Sequence, residues 1–277
     1  MNPAAPNLLS ARLTVSYPGK NPVLNGVELE IAEKEIVGLV GQSGSGKSTL
    51  ALAILGLLAN KHAKVEGEVV FQGINLLQLS QRELRNLRGN KVSLVLQSPL
   101  SSLNPALRVQ TQLREAWRAH RDTNHAKCES AIESAMASVS LPFARDFLRK
   151  YPSQLSVGQA QRVLIAMAVM HRPALLIADE ATSALDVITQ SEILELFARL
   201  NRDIGTSILY ISHDLPSVAG ICQRIAILHQ GQVVECGTAA QIFQSPRHPY
   251  TRSLMSALPR IPSRTEGPPA KTKAATN

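Results

Sequence analysis

The sequence is poor in cysteine and lacks any long apolar run. Its three cysteines, Cys128, Cys222 and Cys236, are an odd number without Cys-x-x-Cys spacing. This argues against a disulfide framework or a zinc site and favours a reducing compartment. The longest apolar candidate, residues 51–59, is far shorter than the roughly 20 residues that span a bilayer. Residues 1–6 are polar and proline-broken rather than a charged and apolar leader, so we expect a cytoplasmic protein.

Aromatic residues are also scarce, at 4% of the chain, although the formal net charge is +8. The basic residues are scattered, and no basic stretch is interleaved with aromatics as in many nucleic-acid-binding surfaces. We interpret the excess charge as solvated helix faces, with attraction to anionic lipid beside a membrane partner as the alternative. Nucleic acid is not expected as a partner.

The most informative segment is residues 41–48, which read G-Q-S-G-S-G-K-S and match the pattern G-x-x-x-x-G-K-[ST]. A β-branched apolar run precedes it at 36–40, and a helix-forming run follows at 49–55. Strand, glycine-rich turn and helix are the context in which this pattern forms a phosphate-binding loop. The sequence therefore predicts a site for a nucleoside triphosphate.

Residue types in this loop suit phosphate binding. Gly41, Gly44 and Gly46 are expected to let the backbone curl with positive φ, so that several amides converge on one concavity. Lys47 can reach the β- and γ-phosphates, and the hydroxyl of Ser48 can bind Mg²⁺. The loop residues predicted to contact ATP are Gly41, Ser43, Gly44, Ser45, Gly46, Lys47, Ser48 and Thr49.

Hydrophobic patterning predicts a mixed α/β chain. Alternation over 9–16 and 27–31 indicates two antiparallel strands, and 67–73 is interpreted as a further edge strand. Helical spacing dominates 97–155, which we interpret as a helical subdomain inserted between two strands of a core sheet. The later alternation of strands and helices indicates α/β units, followed by a hairpin over 224–236.

An apolar segment at 175–178 ends in two acidic residues, Asp179 and Glu180. An aspartate at the carboxyl end of a strand neighbouring a phosphate loop points at the Mg²⁺ beside Ser48. Glu180, one residue further on, is predicted to aim at the water in line with the γ-phosphate. Many strands end in acids at the solvent, so this pair gains its significance from the preceding phosphate loop.

The motifs of the chain, taken together, resemble those of the ATP-binding cassette (ABC) ATPases. They occur in the family's order over about residues 8–258: Tyr17, the phosphate loop, Gln97, L-S-V-G-Q at 155–159, Asp179 and Glu180, A-T-S-A-L-D at 181–186, and His213. The resemblance implies a P-loop NTPase (RecA-like) core with an antiparallel β-subdomain and an inserted α-helical subdomain. It also implies ATP hydrolysis with ATP and Mg²⁺ as ligands.

Individual roles follow from this resemblance. Tyr17 would stack on adenine, Gln97 would touch Mg²⁺ or the attacking water, and His213 would contact the γ-phosphate. The implied catalytic residues are Lys47, Gln97, Glu180 and His213, and the implied Mg²⁺ ligands are Ser48, Gln97 and Asp179.

The resemblance further implies a head-to-tail pair of cassettes with two ATP molecules between them. Ser156, Gly158 and Gln159, at the start of a helix, would meet the γ-phosphate held by the second cassette, and Asp186 would lie at that interface. Val157 stands where the family usually has a glycine. Because a β-branched residue resists positive φ and narrows the phosphate approach, we expect a weaker half-site and favour a heterodimer over a homodimer.

Two segments resemble the ATPase subunits of bacterial peptide and nickel importers: Q-S-P-L-S-S-L-N-P at 97–105 and H-P-Y-T at 248–251. Such a subunit works with two integral membrane permeases and, indirectly, a solute-binding protein, as a peripheral protein on the cytoplasmic face of the bacterial inner membrane. Peptide is the first expectation for the solute and nickel or a metal chelate the second. The alternatives are a soluble ABC ATPase acting on nucleic acid or ribosomes, and a weakly hydrolysing regulatory partner in a heterodimer.

This interpretation divides the chain into five segments. They are 1–96, the first part of the nucleotide-binding core with the β-subdomain and phosphate loop; 97–157, the helical subdomain; 158–240, the second part of the core; 241–261, the importer-like extension; and 262–277, a tail expected to be disordered.

Overall fold

The computed structural model describes residues 7–19, 21–58, 62–120 and 124–257. Within these ranges the strands form two β-sheets, one of four strands and one of six. The predicted disordered tail, 262–277, lies outside the described residues, as does the end of the predicted extension. None of the helices in the described part of the chain is both long and apolar enough to cross a membrane.

The strands, in chain order, are β1 (Asn7–Ser16), β2 (Leu24–Ala32), β3 (Ile36–Val40), β4 (Lys64–Phe71), β5 (Ile74–Asn75), β6 (Val92–Val95), β7 (Leu175–Asp179), β8 (Ser207–Ser212), β9 (Arg224–His229) and β10 (Gln232–Thr238). The helices are α1 (Lys47–Ile54), α2 (Gln81–Leu87), α3 (Pro99–Ser102), α4 (Val109–Arg118), α5 (His125–Ser138), α6 (Arg145–Leu148), α7 (Val157–Val169), α8 (Val187–Ile204), α9 (Leu215–Ile221), α10 (Ala239–Gln244) and α11 (Pro249–Ser256).

The four-stranded sheet is antiparallel, with the order β2-β1-β4-β5. Pairing of β1 with β2 confirms the two strands predicted from alternation. The expectation of an edge strand at 67–73 is wrong, because β4 pairs with both β1 and β5. A tight turn at Gln72 and Gly73, whose φ angles are 49° and 81°, leads into the two-residue β5. A strand that short leaves no alternation to detect in the sequence.

The six-stranded sheet has the order β10-β9-β3-β8-β7-β6, and its strands are parallel except for β10. β9 and β10 form the predicted hairpin, which turns at Gln230 and Gly231 with φ angles of 48° and 77°. β3, β8 and β7 are neighbours, so their carboxyl ends meet at one edge of the sheet. The segments leaving these ends carry the phosphate loop, His213, and Asp179 with Glu180.

The central strands β3, β7 and β8 are buried on both faces of the six-stranded sheet, which explains why they are mostly apolar. Val37 and Leu39 of β3 pack into a core shared with the four-stranded sheet and α1. The alternate residues Ile36 and Val40 pack into a second core with the helices. This two-sided packing fixes the strand that enters the phosphate loop.

Helices α3 to α7 all lie between β6 and β7 in the sequence, in agreement with an insertion between two strands of the core sheet. The mixed α/β architecture with one antiparallel and one mainly parallel sheet confirms the predicted fold class. The numbered domain boundaries stay a prediction.

Candidate functional site

A cavity of about 620 Å³ opens at the carboxyl ends of β3 and β7, which lie on either side of β8. It is lined by Tyr17, Val23, Ser43, Gly44, Gly46, Lys47, Ser48, Thr49, Gln97 and Glu180. All of these except Val23 are residues that the sequence predicts for the site. Gly41 and Ser45 belong to the same loop but are buried beneath the cavity and do not line it.

The loop glycines serve two different purposes. Gly44 and Gly46 have φ angles of 81° and 107°, and a Cβ on Gly46 would also lie 2.5 Å from Leu24 Cδ2. The prediction of positive φ is therefore right for these two residues. It is wrong for Gly41, which has no positive φ and instead leaves space for the carbonyl oxygen of Leu228, which a Cβ would overlap.

Helix α1 begins directly after the loop, with Gly46 as its N-cap. As a glycine, this N-cap residue has no side chain with which to cap the helix. The first amides of α1 therefore remain open for an anion, and the helix dipole adds positive potential. A phosphate group fits this end of the cavity.

Lys47 is the central positive charge, and its side chain is only 5% exposed. Its ammonium group donates to the carbonyls of Gly41 at 2.8 Å and Gln42 at 3.0 Å. Burial lowers the pKa of Lys47, while the carboxylates of Glu180 and Asp179 oppose this shift. A phosphate in the cavity would supply the counter-charge that the carbonyls provide only in part.

Asp179 ends β7, close to the hydroxyl of Ser48 and to Lys47. Burial raises the pKa of Asp179, although the Ser48 hydroxyl and Lys47 act against this. Its Oδ1 atom is buried and has no hydrogen-bond partner among the described residues. Among the described residues, no group of three or more His, Cys, Asp or Glu side chains is placed to bind a metal ion without other ligands. One carboxylate with a hydroxyl suits Mg²⁺, which completes its shell with phosphate oxygens and water.

The carboxylate of Glu180 lies between the ammonium group of Lys47 and the imidazole ring of His213. Its Oε1 atom is 3.3 Å from Nδ1 of His213 and 4.0 Å from Nζ of Lys47. The backbone amide of Glu180 donates to the carbonyl of Ile211 at 2.9 Å, which ties the residue to β8. The structure thus brings together the phosphate loop, the acidic pair and His213 as the sequence predicts.

A second predicted group does not line the cavity. Ser156 caps α7 and exchanges hydrogen bonds with Gln159, whose amide donates to Ser156 Oγ at 3.2 Å. Asp186 caps α8 by accepting from the amide of Thr189 at 3.0 Å and from its hydroxyl at 2.7 Å. A Cβ on Gly158 would lie 2.7 Å from the methyl group of Thr189, so glycine lets the two helix starts come together. These residues form one separate surface.

Val157 occupies the first position of α7, with ordinary helical geometry and no positive φ. This position therefore does not require the positive φ that a β-branched residue resists, and the predicted weaker half-site stays a prediction. Its side chain is 37% exposed on the surface beside Ser156. Whether its size narrows the approach of a phosphate stays a prediction.

Sequence reasoning assigned no role to two residues at the site. Val23 lines the cavity, and nothing in the local pattern signals it. The hydroxyl of Tyr250 accepts a hydrogen bond from the amide of Gln42 in the phosphate loop at 3.2 Å. The H-P-Y-T segment that contains Tyr250 stands out in the sequence, but a contact across more than two hundred positions leaves no local trace.

Comparison with known families agrees with this geometry. The family model described as ABC transporter matches residues 24–183, which is more than half of the chain. The model described as oligopeptide/dipeptide transporter, C-terminal region, matches residues 234–276. The chain belongs to the ABC transporter family, and it is an ATPase of that family, as predicted.

Two of its relatives are named as ATP-binding proteins of oligopeptide and dipeptide transport. The oligopeptide transport ATP-binding protein OppD of Escherichia coli strain K12 is 40% identical over 261 residues, covering 94% of this chain and 77% of the relative. The dipeptide transport ATP-binding protein DppD of Bacillus subtilis strain 168 is 39% identical over 247 residues, covering 89% and 74%. The chain is thus similar to ATP-binding subunits of peptide transporters over most of its length.

Solved structures share the fold. The dimeric ATP-binding cassette MJ0796, in a post-hydrolysis state bound to ADP and Pi, aligns with a TM-score of 0.72 at 29% identity, covering 83% of this chain and 98% of that one. The cbiO1 structure from Clostridium perfringens, part of the ABC transporter complex cbiONQ, aligns with a TM-score of 0.75 at 25% identity, covering 92% and 97%.

Proposed function

We propose that the chain is the ATP-hydrolysing subunit of a bacterial peptide importer. The observation that carries this proposal is the combination of the loop cavity with a C-terminal region, 234–276, that matches the oligopeptide/dipeptide transporter model. The relatives named for oligopeptide and dipeptide transport favour peptide over nickel or a metal chelate as the solute.

The residues of the cavity fit the roles expected of them. The amides at the start of α1 and the Lys47 ammonium would bind the β- and γ-phosphates, and Tyr17, which also lines the cavity, would stack on adenine. Glu180 would accept a proton from the attacking water, with His213 beside its carboxylate and the γ-phosphate.

Ser48 and Asp179, with Gln97 from the lining of the cavity, would hold Mg²⁺. The bound cation would supply positive charge at the phosphate oxygens as negative charge develops there. The unpartnered, buried Oδ1 of Asp179 supports this assignment, because a carboxylate oxygen without a partner inside a protein is costly.

The second surface suits a partner cassette. Ser156, Gly158, Gln159 and Asp186 lie at the starts of α7 and α8, away from the cavity of their own chain. In a head-to-tail pair they would close over the ATP bound by the other cassette, which is either a second copy or a different subunit. The dimeric solved cassette similar to this chain supports such a pair.

In this proposal the cassette pair acts on two integral membrane permeases at the cytoplasmic face of the inner membrane, and a solute-binding protein delivers the peptide. ATP binding would close the pair, and hydrolysis would reopen it. Membership of the ABC transporter family and the similarity to peptide transport subunits support this assignment.

The test is uptake in the organism that encodes the chain. Deleting its gene should abolish uptake of a labelled tripeptide and leave nickel uptake intact. The wild-type gene should restore peptide uptake, whereas Lys47→Ala should not, because the loop loses the charge that faces the phosphates. Loss of nickel uptake with normal peptide uptake would refute the choice of solute, and normal uptake of both would refute the importer assignment.

A further inference from the structure

Tyr250 connects the C-terminal segment to the phosphate loop. Its ring stacks on the ring of His229, the last residue of β9, with centroids 3.7 Å apart and planes 20° from parallel. Its hydroxyl accepts the hydrogen bond from the Gln42 amide at 3.2 Å. Tyr250 is partly buried, whereas Gln42 and the hydrogen bond itself are exposed to solvent.

The backbone around Tyr250 is anchored as well. Glu235 on β10 accepts the amides of Arg247 and His248 at 2.8 and 3.0 Å, one on each carboxylate oxygen. Burial tends to raise the pKa of Glu235, but its hydrogen bonds outweigh this and hold the pKa below its ordinary value. The ring of His248 then accepts the amide of Tyr250 at 3.2 Å. These contacts hold the start of α11 in place independently of the contact between the Tyr250 side chain and the loop.

The Gln42 amide belongs to the same peptide group as the carbonyl of Gly41, which accepts from Lys47 Nζ at 2.8 Å. A trans peptide group is planar, and its N–H and C=O point in opposite directions. The Tyr250 hydroxyl and the Lys47 ammonium thus hold the two ends of one peptide plane. Rotation of this plane in a glycine-rich loop would break both contacts.

We propose that Tyr250 is a positioning residue for the phosphate loop. Its hydroxyl fixes the orientation of the Gly41–Gln42 peptide, and this orientation sets the place of Lys47. The C-terminal segment thereby pre-organises the nucleotide site and raises its affinity for ATP. This inference rests on the proposed role of the loop and of Lys47 in phosphate binding.

The test is Tyr250→Phe, which removes the hydroxyl and keeps the ring that stacks on His229. We expect the Kd for ATP and the KM to rise about three- to tenfold, as for the loss of one hydrogen bond. At saturating ATP, kcat should stay within about twofold of wild type, because the hydroxyl contacts neither Glu180 nor His213. The matched control is Tyr151→Phe, whose hydroxyl accepts from Arg108 at 3.4 Å, and this variant should bind ATP as the wild type does.

A second measurement follows the peptide itself. In ¹⁵N–¹H NMR, exchange of the Gln42 amide with solvent should become at least about threefold faster in Tyr250→Phe and stay unchanged in Tyr151→Phe. An unchanged Kd in Tyr250→Phe, an equal rise in both variants, or a fall in kcat without a rise in KM would each overturn the role of Tyr250. If Lys47→Ala bound ATP as tightly as wild type, the assignment of the loop would fail first, which is a distinct result.

Discussion

Glu180 adopts a backbone conformation that non-glycine residues rarely occupy, with a φ of 49°. Such a conformation costs on the order of 1–3 kcal/mol and persists only when the surroundings impose it. Here the amide of Glu180 is bound to Ile211, and its carbonyl accepts from the amide and hydroxyl of Ser183 at 3.1 and 3.0 Å. The strained residue is also the one whose carboxylate lies beside Lys47 and His213, and this coincidence favours a chemical role.

Glu180→Gln tests that role, since it keeps the size and hydrogen bonds of the side chain and removes the charge. We expect kcat for ATP hydrolysis to fall by about 10²–10⁴-fold, in the range for loss of a general base, while ATP binding is retained. Steady-state hydrolysis and equilibrium binding measure the two effects. Glu195→Gln, at an exposed position on α8, is the matched control. Wild-type turnover in Glu180→Gln would rule out Glu180 as the base.

The burial of Asp179 leads to a second prediction, which concerns the stability of the folded chain. Because its pKa in the folded chain lies above the ordinary value of 3.8, the folded state binds this proton more tightly than the unfolded state. Stability therefore falls as the pH rises through the window between these two pKa values, and the ionised carboxylate destabilises the nucleotide-free chain at neutral pH. Asp179→Asn removes that charge. It should raise the Tm at neutral pH, by about 2–4 °C for each kcal/mol recovered.

The same variant should lose the strengthening of ATP binding by Mg²⁺, because the amide oxygen carries no negative charge. Calorimetry between about pH 5 and pH 8, and ATP titrations with and without Mg²⁺, measure the two effects. Asp203→Asn, at an exposed site on α8, should change neither. A lower Tm together with an intact Mg²⁺ effect would contradict both the burial penalty and the assigned ligand.

At the scale of elements, the two helix starts that carry Ser156 and Asp186 act together. Both have a side-chain cap from an N-cap residue, so neither helix leaves all of its first amides open. The caps nonetheless leave the positive ends of two helix dipoles on one surface. A negatively charged phosphate from another molecule would be attracted there, whereas a fixed negative charge would compete with it.

Ser156→Asp makes this competition measurable. Aspartate caps a helix about as well as serine, so the Tm should change by no more than about 2 °C. The added charge should reduce ATP-driven association and hydrolysis at least about tenfold, because it would face the γ-phosphate of the partner cassette. Thr238→Asp is the matched control, since Thr238 forms the same capping box with Gln241 at the start of α10. Equal activity of the two variants would contradict the proposed contact.

Elements with a strong local pattern could be predicted from the sequence. The alternation in β1 and β2 and the glycine turn between β9 and β10 are read directly from residue order. The two-residue β5 leaves no pattern in the sequence, so the sequence predicts β4 as an edge strand although it lies between β1 and β5. The pairing of β9 with β3 joins segments almost two hundred residues apart, and no local pattern encodes it.

In the candidate site, too, residues of a local motif could be predicted, whereas residues brought in by tertiary packing could not. The phosphate loop is a contiguous motif whose residues contact one ligand, so its position and most of its lining could be predicted. Asp179 and Glu180 could also be predicted, because they end an apolar strand that follows a phosphate loop in the sequence. Val23 and Tyr250 reach the site through tertiary packing, and Gly41 is required by a neighbouring carbonyl that only the folded chain brings near.

At the scale of the whole molecule, the chain has two separate surfaces that are suited to bind a phosphate group. The cavity is built at the ends of β3 and β7, and the Ser156 surface at the starts of α7 and α8 does not line it. A single chain would leave that second surface without a phosphate. Two chains arranged head to tail would give each cavity a cover from the other.

Cysteine crosslinking tests this arrangement directly. In a Cys236→Ser, Glu180→Gln background, which removes the exposed native thiol and blocks turnover, we would combine Ser43→Cys at the cavity with Val157→Cys beside Ser156. A short thiol crosslinker should then give a product of twice the 29.9 kDa chain mass with MgATP but not with ADP. Replacing Val157→Cys by Ser134→Cys, at an exposed position on α5, should give no such product.

The outcome also distinguishes the two kinds of pair. If the second cassette is a different subunit, this chain alone gives no ATP-dependent product, and placing one of the two cysteines on that subunit restores it. A crosslinked product that forms equally with MgATP and with ADP, or no product in either arrangement, would contradict the head-to-tail pair. In that case the cavity would have to act within one chain, and Ser156 would serve only as the cap of α7.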